Sequence, residues 1–210
     1  MVTGNNSKSF YAKWKKQIEK GMTMSILFTG VGGQGIIKAT TVLAEAAMSG
    51  GLDVKVSEVH GMAQRGGSVV GSVRIGKRVY SPTIDKADIV FSLEKLEALR
   101  YLSMLNTGGF LLINNCEIVP VSLFFNQEEY PKDIISRISK FTKNYLIVEA
   151  NSISKKLGEP RASNIVLLGK LSNFVPIKEE FFIQSIKKNI PPKAVDINIR
   201  AFKEGRRNKN

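Results

Sequence analysis

SILFTGVGGQGIIKATTVLAEAAMSGG, residues 25–51, holds the information that decides the fold. Its first five residues are apolar and strand-prone, and a glycine-dense turn follows at once. Ile36, Ile37, Ala39, Thr40, Leu43, Ala44 and Ala47 then recur at helical spacing until Gly50 and Gly51 stop the pattern. The reading is strand, glycine turn, helix. Gly30, Gly32 and Gly35 fit G-x-G-x-x-G at that junction. In such a motif the first glycine allows a tight turn, the second lets backbone approach a phosphate, and the third lets helix and strand pack closely. The helix start adds unpaired N–H groups facing an anion. Gly33 and Gln34 make the loop denser than packing alone requires, and the Gln34 amide can meet a ligand or a partner's backbone. A compact turn without a ligand is the competing reading.

Outward from this stretch the pattern alternates. Strands are expected at 53–59, 68–75, 88–92, 110–114 and 145–149, with a hairpin joining 68–75 to Arg78–Tyr80 through Gly76 and Lys77. Helices are expected at 7–20, 93–106, 134–143, 152–157, 165–171, 178–188 and 196–203, the last ending at Gly205. Parallel strands need crossover connections, so the expected fold is α/β: a doubly wound, mostly parallel, Rossmann-like sheet with one hairpin and helices on both faces. Residues 24–205 form one domain in this reading, residues 1–23 an N-terminal extension carrying an amphipathic helix with Phe10 and Trp14 on one face, and residues 206–210 a basic tail.

Composition narrows the function. The chain has 210 residues, 43% of them hydrophobic, enough for a core without staples. One cysteine, Cys116, and one histidine, His60, cannot assemble a His/Cys metal constellation, and Cys116 has no cationic neighbour in sequence to make it a nucleophile. No apolar run reaches a bilayer's width and the first twenty residues do not read as a secretory signal, so a cytoplasmic location with no membrane partner is expected. The net charge is +13. Lys8, Lys13, Lys15, Lys16 and Lys20 stand against Glu19 alone, and Arg200, Lys203, Arg206, Arg207 and Lys209 against Glu204 alone, so most of the excess sits at the two ends. Solvated ends explain it, and with no nucleic-acid motif in the chain we do not expect nucleic acid as a partner.

The second unusual stretch is SEVHGMAQRGGSV, residues 57–69. In a doubly wound sheet, loops after strands gather at the carboxyl edge, so this loop is expected beside the glycine turn, sharing one crevice. Arg65 offers a planar fork of donors for phosphate or carboxylate, and Gly66 and Gly67 let backbone lie close. A solvated turn is the alternative for Arg65. Glu58 and His60 share a strand face, and Glu58 can orient the ring; we assign His60 a positioning or structural part. A nucleotide dehydrogenase needs an acid at the end of the second strand to hold ribose. Glu58 could serve, although at 28 residues after Gly30 it comes later than the usual spacing, and Asp53 is nearer but begins the strand rather than ending it.

GVGGQG, the Arg65–Gly67 triplet, VRIG (73–76), ADIVFSLEKLEALR (87–100), GGFLLIN (108–114), NIVLLGKL (164–171) and NIRAFKEG (198–205) occur in an order that closely resembles the gamma-type subunit, or domain, of 2-oxoacid:ferredoxin oxidoreductases. The wording of 57–69 is most similar to the beta-subunit branch of indolepyruvate oxidoreductases. The resemblance implies a multisubunit enzyme that decarboxylates an aryl 2-oxoacid on thiamine diphosphate with Mg²⁺, passes two electrons through iron–sulfur clusters to ferredoxin, and releases acyl-CoA. One cysteine cannot ligate a cluster, and no thiamine diphosphate motif is visible, so a large alpha subunit is expected to carry both. This chain would complete the crevice and help to bind coenzyme A through Gly30, Gly32, Gly33, Gln34, Gly35, Arg65 and Gly66, with Glu58, His60, Gln64 and Glu94 facing the crevice or the partner. An exposed acid at a helix start is the other reading of Glu94. Alternatives are an orphan nucleotide- or CoA-binding module without a catalytic partner, a free-standing NAD dehydrogenase, and nucleic-acid binding by the basic ends.

Overall fold

The computed structural model describes residues 5–60, 66–119 and 129–208. Eight apolar or small residues, all buried, form β1 (Met24–Val31) at the centre of a six-stranded sheet. With β2 (Asp53–His60), β3 (Ser68–Gly76), β4 (Ala87–Ser92), β5 (Leu105–Asn114) and β6 (Tyr145–Val148), the spatial order is β2-β3-β1-β4-β5-β6. β1, β4, β5 and β6 run parallel. β3 lies antiparallel between β1 and β2.

The hairpin expected between 68–75 and Arg78–Tyr80 is therefore corrected: β3 pairs along its length with β2 and β1, and residues 78–80 form no strand. Alternation and the Gly76 turn could not tell which neighbour β3 takes, because both of its faces are covered.

Alternate residues of the central strands feed two cores. Ile26, Phe28, Ile89, Phe91, Phe110 and Leu112 face the larger one, covered by α1 (Asn5–Glu19), α2 (Ile36–Ser49), α6 (Ser163–Leu171), α7 (Glu179–Asn189) and α8 (Val195–Arg207). Leu27, Val90, Leu111 and Ile113 face α3 (Lys95–Arg100) and α4 (Ile134–Phe141). A short α5 (Ala150–Lys156) follows β6. The helix expected at 93–106 is shorter: α3 ends at Arg100, a 3-10 turn spans Leu102–Met104, and β5 begins at Leu105.

Gly205 is not a helix stop, since α8 runs on to Arg207. A Cβ at Gly205 would lie 1.8 Å from the Val166 carbonyl oxygen, and one at Gly169 would lie 2.0 Å from that of Phe202. The two glycines let the backbones of α6 and α8 touch. Arg206 also belongs to the fold, donating to Ser172 Oγ at 2.7 Å and pairing with Glu179 at 3.1 Å.

α1 packs under the amino edge of the sheet. Trp14 and Ile18 are buried in the larger core, and Phe10 contacts Phe110 and Phe174 with ring centroids 6.2 and 6.1 Å away. No described helix is long and apolar enough to cross a membrane.

Candidate functional site

The chain leaves β1 toward β2 on one side and reaches β4 on the other, so the carboxyl ends of β1 and β4 flank the point where the winding reverses. Open α/β sheets bind ligands at such a point. The glycine turn stands there. Gly33 and Gly35 have φ of 100° and 81°, the left-handed region that other residues avoid, so the turn conformation comes from these two. Gly30 acts differently. It is still in β1, and a Cβ there would come within 2.8 Å of Gln34 Oε1 and 3.2 Å of Leu93 Cβ. Gly35 also packs against α6, where a Cβ would meet Asn164 Nδ2 at 2.4 Å, and Asn164 donates to the Gly35 carbonyl at 3.0 Å.

The Gln34 amide is used within the chain. Oε1 accepts from the Val31 N–H at 2.7 Å, and Nε2 donates to the Leu93 carbonyl at 2.9 Å. The side chain thus folds the turn back on itself and ties it to the end of β4.

The loop after β2 shares this edge. β3 returns antiparallel, Val31 pairs with Ser68, and beyond that pair the Gly32 N–H donates to the Gly67 carbonyl at 2.8 Å. Gly66 has φ of 76°. The glycine turn and the Gly66–Gly67 end of the second loop are therefore adjacent in space. Gln64 and Arg65 lie outside the described residues, as does the side chain of His60, whose backbone ends β2. Glu58 accepts from Thr40 Oγ1 on α2 at 2.9 Å. The structure thus brings Glu58 against the helix that the glycine turn begins.

Glu94 is fully buried, which corrects the exposed-acid reading. It caps α3, accepting from the Glu97 N–H at 2.8 Å, and its other oxygen accepts from Tyr130 Oη and from the Ile118 N–H at 3.3 Å. Burial pushes its carboxyl up from the usual range, against these hydrogen bonds. Burial and the bond to Glu94 push the Tyr130 phenol up as well.

Three participants were not singled out in the sequence. Glu97, also fully buried, accepts from Ser68 Oγ at the foot of the second loop and sits 3.1 Å from Arg100 Nε. Tyr130 and Asn164 complete the set. Glu97 shares the ADIVFSLEKLEALR motif with Glu94, but only the turn of α3 shows that both carboxylates point inward. Cys116 presents its carbonyl to the Lys95 N–H at 3.0 Å, and burial pushes its thiol up, away from nucleophilic use.

A family model for pyruvate ferredoxin/flavodoxin oxidoreductase matches residues 25–208. The chain belongs to this family. It is 40% identical over 188 residues to the indolepyruvate oxidoreductase subunit IorB of Pyrococcus horikoshii, covering 86% of this chain and 93% of that one. The solved gamma subunit of a keto/oxoacid ferredoxin oxidoreductase from Geobacter sulfurreducens has the same fold, with a TM-score of 0.63 and 24% identity over 87% of this chain and 95% of that one. A 2-oxoglutarate:ferredoxin oxidoreductase from Magnetococcus marinus, solved with 2-oxoglutarate, coenzyme A and succinyl-CoA bound, gives a TM-score of 0.70 at 18% identity, over 88% of this chain and 30% of that one. The chain is the small, IorB-like subunit of an oxidoreductase of this family, and α1 precedes the matched residues.

Proposed function

We propose that this chain completes the active-site crevice of a cytoplasmic, indolepyruvate-type 2-oxoacid:ferredoxin oxidoreductase and helps to hold coenzyme A there. The observation that carries the reading is the Gly32–Gly67 hydrogen bond, which sets the glycine turn beside the Gly66–Gly67 end of the second loop at the winding reversal of the sheet. The start of α2 supplies N–H groups without intrahelical partners. Arg65, two residues before Gly67 in the sequence, would supply a cationic fork for phosphate. Together these suit the phosphates of coenzyme A, and the curated relative's name supplies the aryl 2-oxoacid.

The redox and decarboxylation groups do not fit this chain. One cysteine falls short of the four ligands a cluster takes. Among the described residues no group of three or more His, Cys, Asp or Glu can hold a metal. In this reading a larger partner subunit carries thiamine diphosphate, Mg²⁺ and the iron–sulfur clusters and delivers electrons to ferredoxin. The part of this chain is to bind, orient and close.

The test is steady-state kinetics of the assembled complex. Arg65→Ala should raise KM for coenzyme A about ten-fold while leaving KM for the 2-oxoacid within two-fold; equal effects on both would count against the assignment. Copurification of a large iron–sulfur subunit with the tagged chain separates this reading from an orphan binding module.

A further inference from the structure

A cavity of about 380 Å³ opens between the first turn of α2, the start of α6 and the turn that leads into α8. Three cations line it: Lys38, Arg161 and Lys193. Glu159 is the one carboxylate among the lining residues, and its pairing with Arg161 is loose, at 3.7 Å with the Arg161 side chain 95% exposed. Lys38 is held in place through its Nζ, which donates to the Asn189 carbonyl at 2.9 Å. That bond fixes the ammonium without neutralising it. Among the described residues neither Lys38 nor Lys193 is paired with a carboxylate.

Uncompensated cations around a concave space attract anions, and the low-dielectric walls focus the field. Two further features select among anions. The N-terminal ends of α6 and α8, helices of nine and thirteen residues, open on the same space and add partial positive charge. The wall also has an apolar part, formed by Ile190, Pro191 and Ala194. A bare inorganic ion would leave that wall uncovered. The volume falls within the range of small-molecule sites.

The geometry points to a nucleotide site in this cavity, beside the glycine turn but not formed by it: phosphates on Lys38, Arg161 and Lys193, and the flat base against Ile190, Pro191 and Ala194. The chemistry is that of an adenine nucleotide, whether free or as the nucleotide end of coenzyme A. The site stands without the proposed function: it shares Asn164 with the wall behind Gly35, but none of its lining residues belongs to the loops at 30–35 or 61–67.

Calorimetric titration of the full-length chain with ADP, coenzyme A and adenosine tests it. ADP binds, and adenosine binds at least ten-fold more weakly. Arg161→Glu and Lys193→Glu, both at exposed side chains, each weaken ADP at least ten-fold without lowering the unfolding temperature. Arg65→Ala leaves ADP affinity unchanged, so failure of the glycine-turn reading and failure of this one are distinguishable. Coenzyme A affinity that falls at least ten-fold with Lys193→Glu but not with Arg65→Ala assigns the nucleotide end of coenzyme A as the source, and coenzyme A affinity indifferent to Lys193→Glu assigns a free nucleotide. No ADP binding at millimolar concentration, or ADP affinity indifferent to both charge reversals, overturns the site.

Discussion

The Gln34 side chain spans from β1 to β4, donating its Nε2 to the Leu93 carbonyl at 2.9 Å while its Oε1 holds the Val31 N–H at 2.7 Å. One amide therefore fixes both the curvature of the glycine turn and its distance from the neighbouring strand. Gln34→Leu keeps the volume but leaves the Val31 N–H unpaired, at about 1–3 kcal/mol for the unsatisfied group, while the Leu93 carbonyl keeps Asn114 Nδ2 at 3.2 Å. We expect urea unfolding to show a loss of about 2 kcal/mol, with a further fall in the complex's activity at saturating 2-oxoacid. Unchanged stability would mean that the amide is dispensable to the turn.

Glu94 gives the stability of the chain a pH dependence. Its folded carboxyl titrates above the usual range because of burial, so between the unfolded and folded values the native state holds more protons than the unfolded one. The stabilisation from Glu94 is full below the unfolded value and is lost as pH rises through the folded one. Glu94→Gln removes this contribution. Unfolding temperatures measured upward from pH 4.5 should fall less steeply for the variant than for the parent; parallel profiles would show that Glu94 stays ionised at no cost.

Gly205→Ala tests the α6–α8 contact. The added carbon would overlap the Val166 carbonyl oxygen, and the backbone there has no flexible side chain to move aside. Overpacking of this kind commonly costs 1–3 kcal/mol and at times more; we expect about 3 kcal/mol or loss of soluble protein. Gly158→Ala meets no atom within 4 Å at its added carbon, and its φ of 88° brings only backbone strain, so its smaller loss in the same unfolding experiment is the control.

The parallel core was legible because βα punctuation is local: the run at 25–29, the glycine turn and the apolar stripe of α2 each declare themselves within a few residues. The adjacency of the glycine turn and the Gly66–Gly67 end of the second loop followed from topology. What stayed hidden is what depends on distant partners. Gly30 reads as a turn residue, but its need is room beside Gln34 and Leu93. Gly205 reads as a helix stop, but it answers to Val166. Glu94 reads as a solvated acid at a helix start, and only the approach of Tyr130 and Ile118 buries it. The pairing of β3 was hidden for the same reason, since strand alternation carries no address for the neighbour.

The seating of α1 bears on how the molecule's positive charge is to be understood. Phe10, Trp14 and Ile18 pin this helix beneath the amino edge, with Lys8, Lys13, Lys15, Lys16 and Lys20 exposed there. β1 alone, at eight residues of roughly 3.3 Å each, puts that cluster more than two Debye lengths from the glycine turn in physiological salt. Five of the chain's lysines are thus electrically out of earshot of its ligand edge, and any attraction felt by an incoming phosphate there has to be generated on the spot.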